Sequence, residues 1–473
     1  MSLSSLETIS IVRSIAPDAV LLDTLPGYLK PSEHDEAKIF HKQWLDNLAS
    51  LLKCSSGVFS KQVCAVSISL LQSGCTVTVA FNSRPESPEY VVELIHSVRK
   101  WMKEAHHVPL EQISKKNHEL LKIILGVSLS KLRRWVKEKG WFMDALVTEA
   151  LKGDLSGPQK QFILAAKCMH IDLMRRISVE DPDLERLAKV FPYHIESCEA
   201  EQSKLDGVLW LHEYERLLVK PAGVRWPSLR RYLEKFRKPY NQYILIREGA
   251  RKSYIRAALS LPLAVNILPN PTTPSIPAFP SMLNFEPRIR SFLRHALHSY
   301  SPAAVGSPFA DRAIDDIWQR IQKVDQSASL QSVHSECALL HHHLNLGSHD
   351  RPAPTPYPYF GASKPSCFQC GLYFQAYRAT TPSGPMFQMR TGSPGLLRTC
   401  TLPMSTRGPD EVDEVIWKEM GAQASKVVGF LVNKRINLLE EQSRIPRGPA
   451  YKIDDEFWAR MRAAGIQIQG CNV

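Results

Sequence analysis

The pairing of His334-Ser335-Glu336 with Cys367-Phe368-Gln369-Cys370 restricts the fold of this 473-residue chain more than any other feature. In a regular helix His334 and Glu336 would not share a face, so the spacing makes most sense at a loop-to-helix junction. A Cys-x-x-Cys pair at a helix start points both sulfurs at one metal, and the exposed N–H groups there favour thiolate over thiol. The two stretches, far apart along the polymer, are therefore expected to converge on a metal. One imidazole and two thiolates suit Zn2+, and three protein ligands leave the fourth tetrahedral position open, as a catalytic site requires. The expected ligands are His334, Cys367 and Cys370. Glu336 is the expected catalytic residue, able to accept a proton from water and return it.

The remaining pattern frames these motifs. Residues 33–53 carry apolar positions at helical spacing, and 63–81 alternates as two strands around Gln72-Ser73-Gly74, a hairpin closed by Asn82. From 88 to 324 helical periodicity dominates, over 91–103, 111–138, 142–152, 162–177, 208–219, 229–259 and 312–324, with a proline-rich interval, 261–287, expected as loop. After 327 an α/β texture returns: a helix over 336–346, a strand over 357–362, a helix over 367–377, a strand over 386–389, and helices over 412–420 and 425–441. The domains expected are 33–87 and 326–422 as two parts of one core, 88–325 as a helical insertion or second domain, and 423–473 as a helical extension.

Composition narrows the class. The formal charge of +12 favours anionic partners. Ten cysteines show no framework spacing beyond the single Cys-x-x-Cys, which fits a reducing compartment. No apolar run is long enough to span a bilayer, and Met1 to Val12 has no secretory signal pattern. The chain reads as intracellular, cytoplasmic or nuclear, with no membrane partner and an oligomeric state that the sequence leaves open.

Val333-His334-Ser335-Glu336, Tyr359-Phe360-Gly361-Ala362-Ser363-Lys364 and Ser366-Cys367-Phe368-Gln369-Cys370 resemble the zinc-dependent cytidine/deoxycytidylate deaminase superfamily. The resemblance is to a deaminase-like branch of largely uncharacterised fungal proteins and some bacterial toxins. It covers about 150 residues. It implies an α/β fold: a three-layer deaminase-like core, with a mixed sheet and flanking helices, interrupted by a large all-helical insertion. The order implied is helix, two strands, HxE helix, strand, CxxC helix, further strands. The activity implied is hydrolytic deamination of a nucleobase in a nucleotide or nucleic acid; the other reading is an inactive, zinc-stabilised binding or scaffold protein. By the same resemblance Asn82 would contact substrate, although a turn residue ending a hairpin explains it equally. Ser335, through its backbone N–H, and Ser363 and Lys364 are further substrate-binding candidates. Two departures stand out: Ser366 replaces the proline usual before the first cysteine, and the glycine-rich stretch 390–395 lacks the branch's histidine.

A basic, aromatic-rich stretch, 225–256, offers Arg230, Arg231, Arg237 and Lys238 as single-stranded nucleic-acid contacts. The alternative is an amphipathic helix with Tyr232, Phe236, Tyr240 and Tyr243 in the core. Lys131, Arg133, Arg134 and Lys137 form a smaller group with the same two readings. His341, His342 and His343 point in different directions around a helix and read as structural or solvated.

Overall fold

The computed structural model describes residues 36–55, 62–71, 74–82, 85, 87–152, 156–204, 229–269, 286–325, 333–346, 355–366, 368–381, 387–390 and 411–444. In chain order the elements are α1 (Glu36–Ser55), β1 (Cys64–Leu71), β2 (Gly74–Phe81), α2 (Pro88–His107), α3 (Leu110–Lys152), α4 (Gly157–Ile177), α5 (Leu184–Ser203), α6 (Leu229–Arg251), α7 (Ser253–Ser260) and β3 (Leu263–Ile267). They continue with α8 (Glu286–Tyr300), a 3-10 turn (Pro302–Gly306), α9 (Ala310–Asp325), α10 (Ser335–Leu346), β4 (Thr355–Pro356), β5 (Tyr359–Ala362), α11 (Phe368–Thr380), β6 (Gln388–Met389) and α12 (Glu411–Arg444).

The chain divides into two compact units. Among the described residues, the larger holds those within 36–269 and 333–420, and the smaller holds those within 286–325 and 421–444. The larger unit holds a mixed sheet of order β3-β2-β1-β5-β6, with β4 also on β1. β1 is antiparallel to β2 and β5, while β2–β3 and β5–β6 are parallel. Helix α1, the hairpin, the helix after His334, β5, α11 and β6 follow in the order the resemblance implies.

The pleat sorts β1 into two faces. Cys64, Val66 and Ile68 join Trp44, Leu45, Leu48 and Leu52 of α1 in the main apolar core. On the opposite face Ser67 bonds His343 of α10, Oγ to Nε2 2.8 Å. Helices therefore flank the sheet on both sides. Beneath α10, His343 stacks on Phe360 and Phe387, with ring centroids 5.5 and 5.8 Å apart. Helices α2, α3 and α6 pack on α1, α4 and α5 pack on α3, and together they extend the same core through residues such as Leu120, Phe162, Phe191 and Phe236.

Several boundaries differ from the sequence expectation. Residues 263–267, expected as loop, form an edge strand: Leu263 to Ile267 pairs in parallel with Cys75 to Val79. The carbonyl of Pro262 accepts from Cys75 N at 2.7 Å, and a side chain at Gly74 would meet that same oxygen at 2.8 Å, so the hairpin tip needs glycine. Residues 184–203 and 286–300 are helices. The first is capped by Asp183, which accepts from Arg186 N at 3.0 Å, and it carries Pro192 internally. The second has Pro287 in its first turn, where proline is tolerated. The expected breaks near 139–141 and 421–424 are absent, because α3 and α12 run through them, whereas 229–259 is interrupted at Lys252. The expected helix 208–219 lies outside the described residues.

In the smaller unit α8 packs against α12. Arg290 pairs with Glu286 and Asp315, Arg435 bonds Asp316 at 2.7 Å, and a Cβ on Gly429 would collide with Ala296 and Tyr300. No helix among the described residues is long and apolar enough to cross a membrane.

Candidate metal and catalytic site

Two helix starts meet at one end of the sheet. His334 immediately precedes α10, and its carbonyl accepts from Ala338 N at 3.0 Å as the first helical bond. Cys370 lies in the first turn of α11. The His334 Nδ1 and the Cys370 Sγ are 3.2 Å apart. Donor atoms of His334, Glu336 and Cys370 all lie within 4.8 Å of one another. Two ligands on one tetrahedral zinc, at ordinary Zn–N and Zn–S lengths, stand about 3.5 Å apart. The imidazole and thiol therefore fit such an ion in both chemistry and spacing. Cys367 lies outside the described residues.

Glu336 is buried, 2% exposed, in the first turn of α10. Burial and the neighbouring Cys370 sulfur lift its carboxyl to about 7, against His334, its own N–H and the Ser335 hydroxyl, which pull it down. The Ser335 Oγ donates to Glu336 Oε2 at 3.1 Å. A carboxyl whose pKa lies near 7, beside a pair that could hold a metal, can both take and give a proton at physiological pH.

The floor of the site is the β1–β5 junction. Ser363 Oγ accepts from Cys64 N at 2.9 Å, and Ser363 N donates to Cys64 O at 2.8 Å, which continues the ladder past Ala362. Asn82 Oδ1 accepts from Val63 N at 2.6 Å, closing the hairpin end. Ser366, where the superfamily places proline, uses both the groups proline would lose. Its N–H and its hydroxyl donate to Arg390 O at 3.2 and 2.8 Å, tying the approach to α11 to the end of β6.

Of the basic candidates, Arg237 pairs with Glu199 at 3.3 Å and bonds Gln202. Lys238 reaches Ser50 Oγ at 3.4 Å. The side chains of Arg230 and Arg231 lie outside the described residues. The aromatics between them, Tyr232, Phe236, Tyr240 and Tyr243, are buried and offer the core, not the surface, their ring faces.

Three residues near the site, Asp46, Lys53 and Cys64, take no site role from the sequence, where Cys64 reads as an ordinary free cysteine. Asp46, on a polar position of α1, accepts from Ala362 N at 2.8 Å and from the Tyr359 hydroxyl at 3.0 Å, pinning β5. Burial raises its carboxyl to about 6, against those bonds and the Arg390 guanidinium. The buried Cys64 thiol is pushed well up by burial and by Glu336, with Lys53 opposing. Nothing in the spacing of Asp46, Lys53 or Cys64 marks them, because tertiary packing alone brings them here.

Residues 333–400 match a protein-family model described as OTT_1508_deam-like deaminase. Comparison with curated proteins and with solved structures finds no match for the chain.

Proposed function

Because residues 333–400 carry a deaminase-like domain of the cytidine deaminase superfamily, we propose that the chain is a zinc-dependent hydrolase that replaces an exocyclic amine of a nucleobase with oxygen. The observation that carries this reading is the convergence of His334, Glu336 and Cys370 at paired helix starts. In the proposed site His334, Cys370 and Cys367 hold the metal. Bound zinc would supply the Lewis acidity that lowers the pKa of water. The Glu336 carboxylate takes one proton from the attacking water and passes it to the ring nitrogen, then takes the second from the hydroxyl added to the ring carbon and passes it to the amine, which leaves as ammonia as the carbonyl forms. Ser335 orients that carboxylate through its hydroxyl. His334, Glu336 and Cys370 are buried, which keeps bulk water away from the groups that would react.

The test is ammonia release from nucleosides, nucleotides and single-stranded DNA and RNA by purified, zinc-supplemented protein. Glu336→Ala should keep the metal and lower turnover by about a hundredfold or more. Turnover equal in the two proteins, or absent with every base, refutes the assignment.

A further inference from the structure

Four lysines from separate pieces of the larger unit converge beside the candidate site. Lys53 lies in the last turn of α1, Lys131 within α3, Lys238 within α6, and Lys364 just beyond β5. Helices α1, α3 and α6 pack on one another, and α1 also packs on β5, so tertiary structure assembles the group. The Lys238 ammonium donates to Ser50 Oγ at 3.4 Å, and the buried Ser50 hydroxyl donates to Ser363 O at 3.4 Å. The Lys53 amino group is within hydrogen-bond reach of Lys364 and feels Lys131 and Lys238 as well. All four side chains are partly buried. Cys64 links this cluster to the catalytic carboxylate, since its thiol senses both Lys53 and Glu336 and its backbone is bonded to Ser363.

Cations gathered in this way repel, and the repulsion is legible. Burial first, and then the three neighbouring ammonium groups, hold Lys53 down to about 7. An anion with several acceptor oxygens reverses that penalty, because each ammonium then donates a charge-assisted hydrogen bond. Phosphate is the group whose charge and oxygen count match several converging lysines.

We propose that Lys53, Lys131, Lys238 and Lys364 form a phosphate-binding subsite that anchors the substrate's phosphate while its base reaches Glu336. The location as a substrate subsite rests on the deaminase reading. It narrows the substrate class to a phosphate ester, a nucleotide or a strand, over a free base or nucleoside.

Calorimetric titration of the full chain carrying Glu336→Ala, which blocks turnover, compares nucleosides, their monophosphates, a short single-stranded oligonucleotide and inorganic pyrophosphate. The expected result is that monophosphates or oligonucleotide bind at least roughly tenfold tighter than nucleosides. Pyrophosphate should raise the melting temperature. Lys131→Ala and Lys364→Ala should each erase most of that preference without lowering the melting temperature of the ligand-free protein. Tighter binding of the monophosphates assigns the phosphate to a free nucleotide, and tighter binding of the oligonucleotide assigns it to a strand. Nucleosides binding as well as their phosphates, no binding of either, or a preference that survives both lysine variants overturns the subsite. Phosphate-dependent binding without ammonia release from the parent chain leaves the subsite standing and removes only the hydrolytic reading.

Discussion

Acidification should unfold the larger unit partly through His343, and a single substitution isolates the effect. The ring is 8% exposed, bonded to Ser67 and stacked on Phe360 and Phe387. Burial, aided by His342, lowers its pKa from 6.5 to about 4. The unfolded chain takes up this proton below 6.5, whereas the native ring stays neutral down to about 4. Stability is therefore intact above 6.5 and is lost as pH falls through that window. At about 1.4 kcal/mol for each tenfold change in proton affinity, the loss at the acid end is about 3 kcal/mol. His41, also lowered to about 4 by burial, adds a loss over the same range. Asp46 works in the opposite sense: its carboxyl is raised to about 6, so its contribution to stability grows as pH falls from about 6 to about 4. The difference between parent and His343→Gln cancels both. Glutamine keeps a hydrogen-bonding group opposite Ser67 and removes the titration. Urea unfolding followed from about pH 7.5 to about pH 4.5 should show the parent losing about 2–3 kcal/mol more than the variant. Parallel pH curves would mean that the native ring titrates normally, and the buried role given to His343 would be wrong.

Two further substitutions probe the strand that carries the site. Gly361→Ala places a methyl 2.5 Å from Leu45 O and 2.7 Å from Leu45 Cβ, so α1 must move off β5; overpacking of this kind costs about 1–3 kcal/mol, read as a lower melting temperature. Asp46→Asn retains acceptance from Ala362 N without a buried charge, whereas Asp46→Ala leaves that N–H without its partner. At about pH 8, where the parent carboxylate is ionised at a cost, the asparagine variant should match or exceed the parent, and the alanine variant should be less stable by about 1–3 kcal/mol. An asparagine variant as unstable as the alanine one would show that the charge itself, through Arg390, holds β5.

The hairpin and both site helices were legible because their signals are local. Val66 and Ile68 alternate with Ser67 and Ser69, and His334, Glu336 and the Cys-x-x-Cys pair carry their chemistry in their spacing. The strand at 263–267 was hidden because it lies at the sheet edge, where only Ala264 is well exposed and no residue is buried, and because prolines flank it. Two further prolines lie within helices: Pro192 inside α5, and Pro287 at the start of α8, where the missing N–H costs nothing. The expected breaks at 139–141 and 421–424 contain Gly140 and Gly421, glycines of weak helix propensity that nevertheless lie inside the long helices α3 and α12. Lys131, Lys238 and Lys364 are each candidates in the sequence, but their grouping with Lys53, like the contacts of Asp46, is defined only once α1, α3, α6 and β5 are packed together.

Zinc K-edge absorption on the purified chain, with metal content measured alongside, probes the heart of the account. The prediction is one zinc per chain bound by sulfur and imidazole nitrogen, with sulfur scattering halved in Cys367→Ser or Cys370→Ser and nitrogen scattering reduced in His334→Ala. A protein that takes up no zinc, or one whose zinc environment is the same in all three variants, would contradict it.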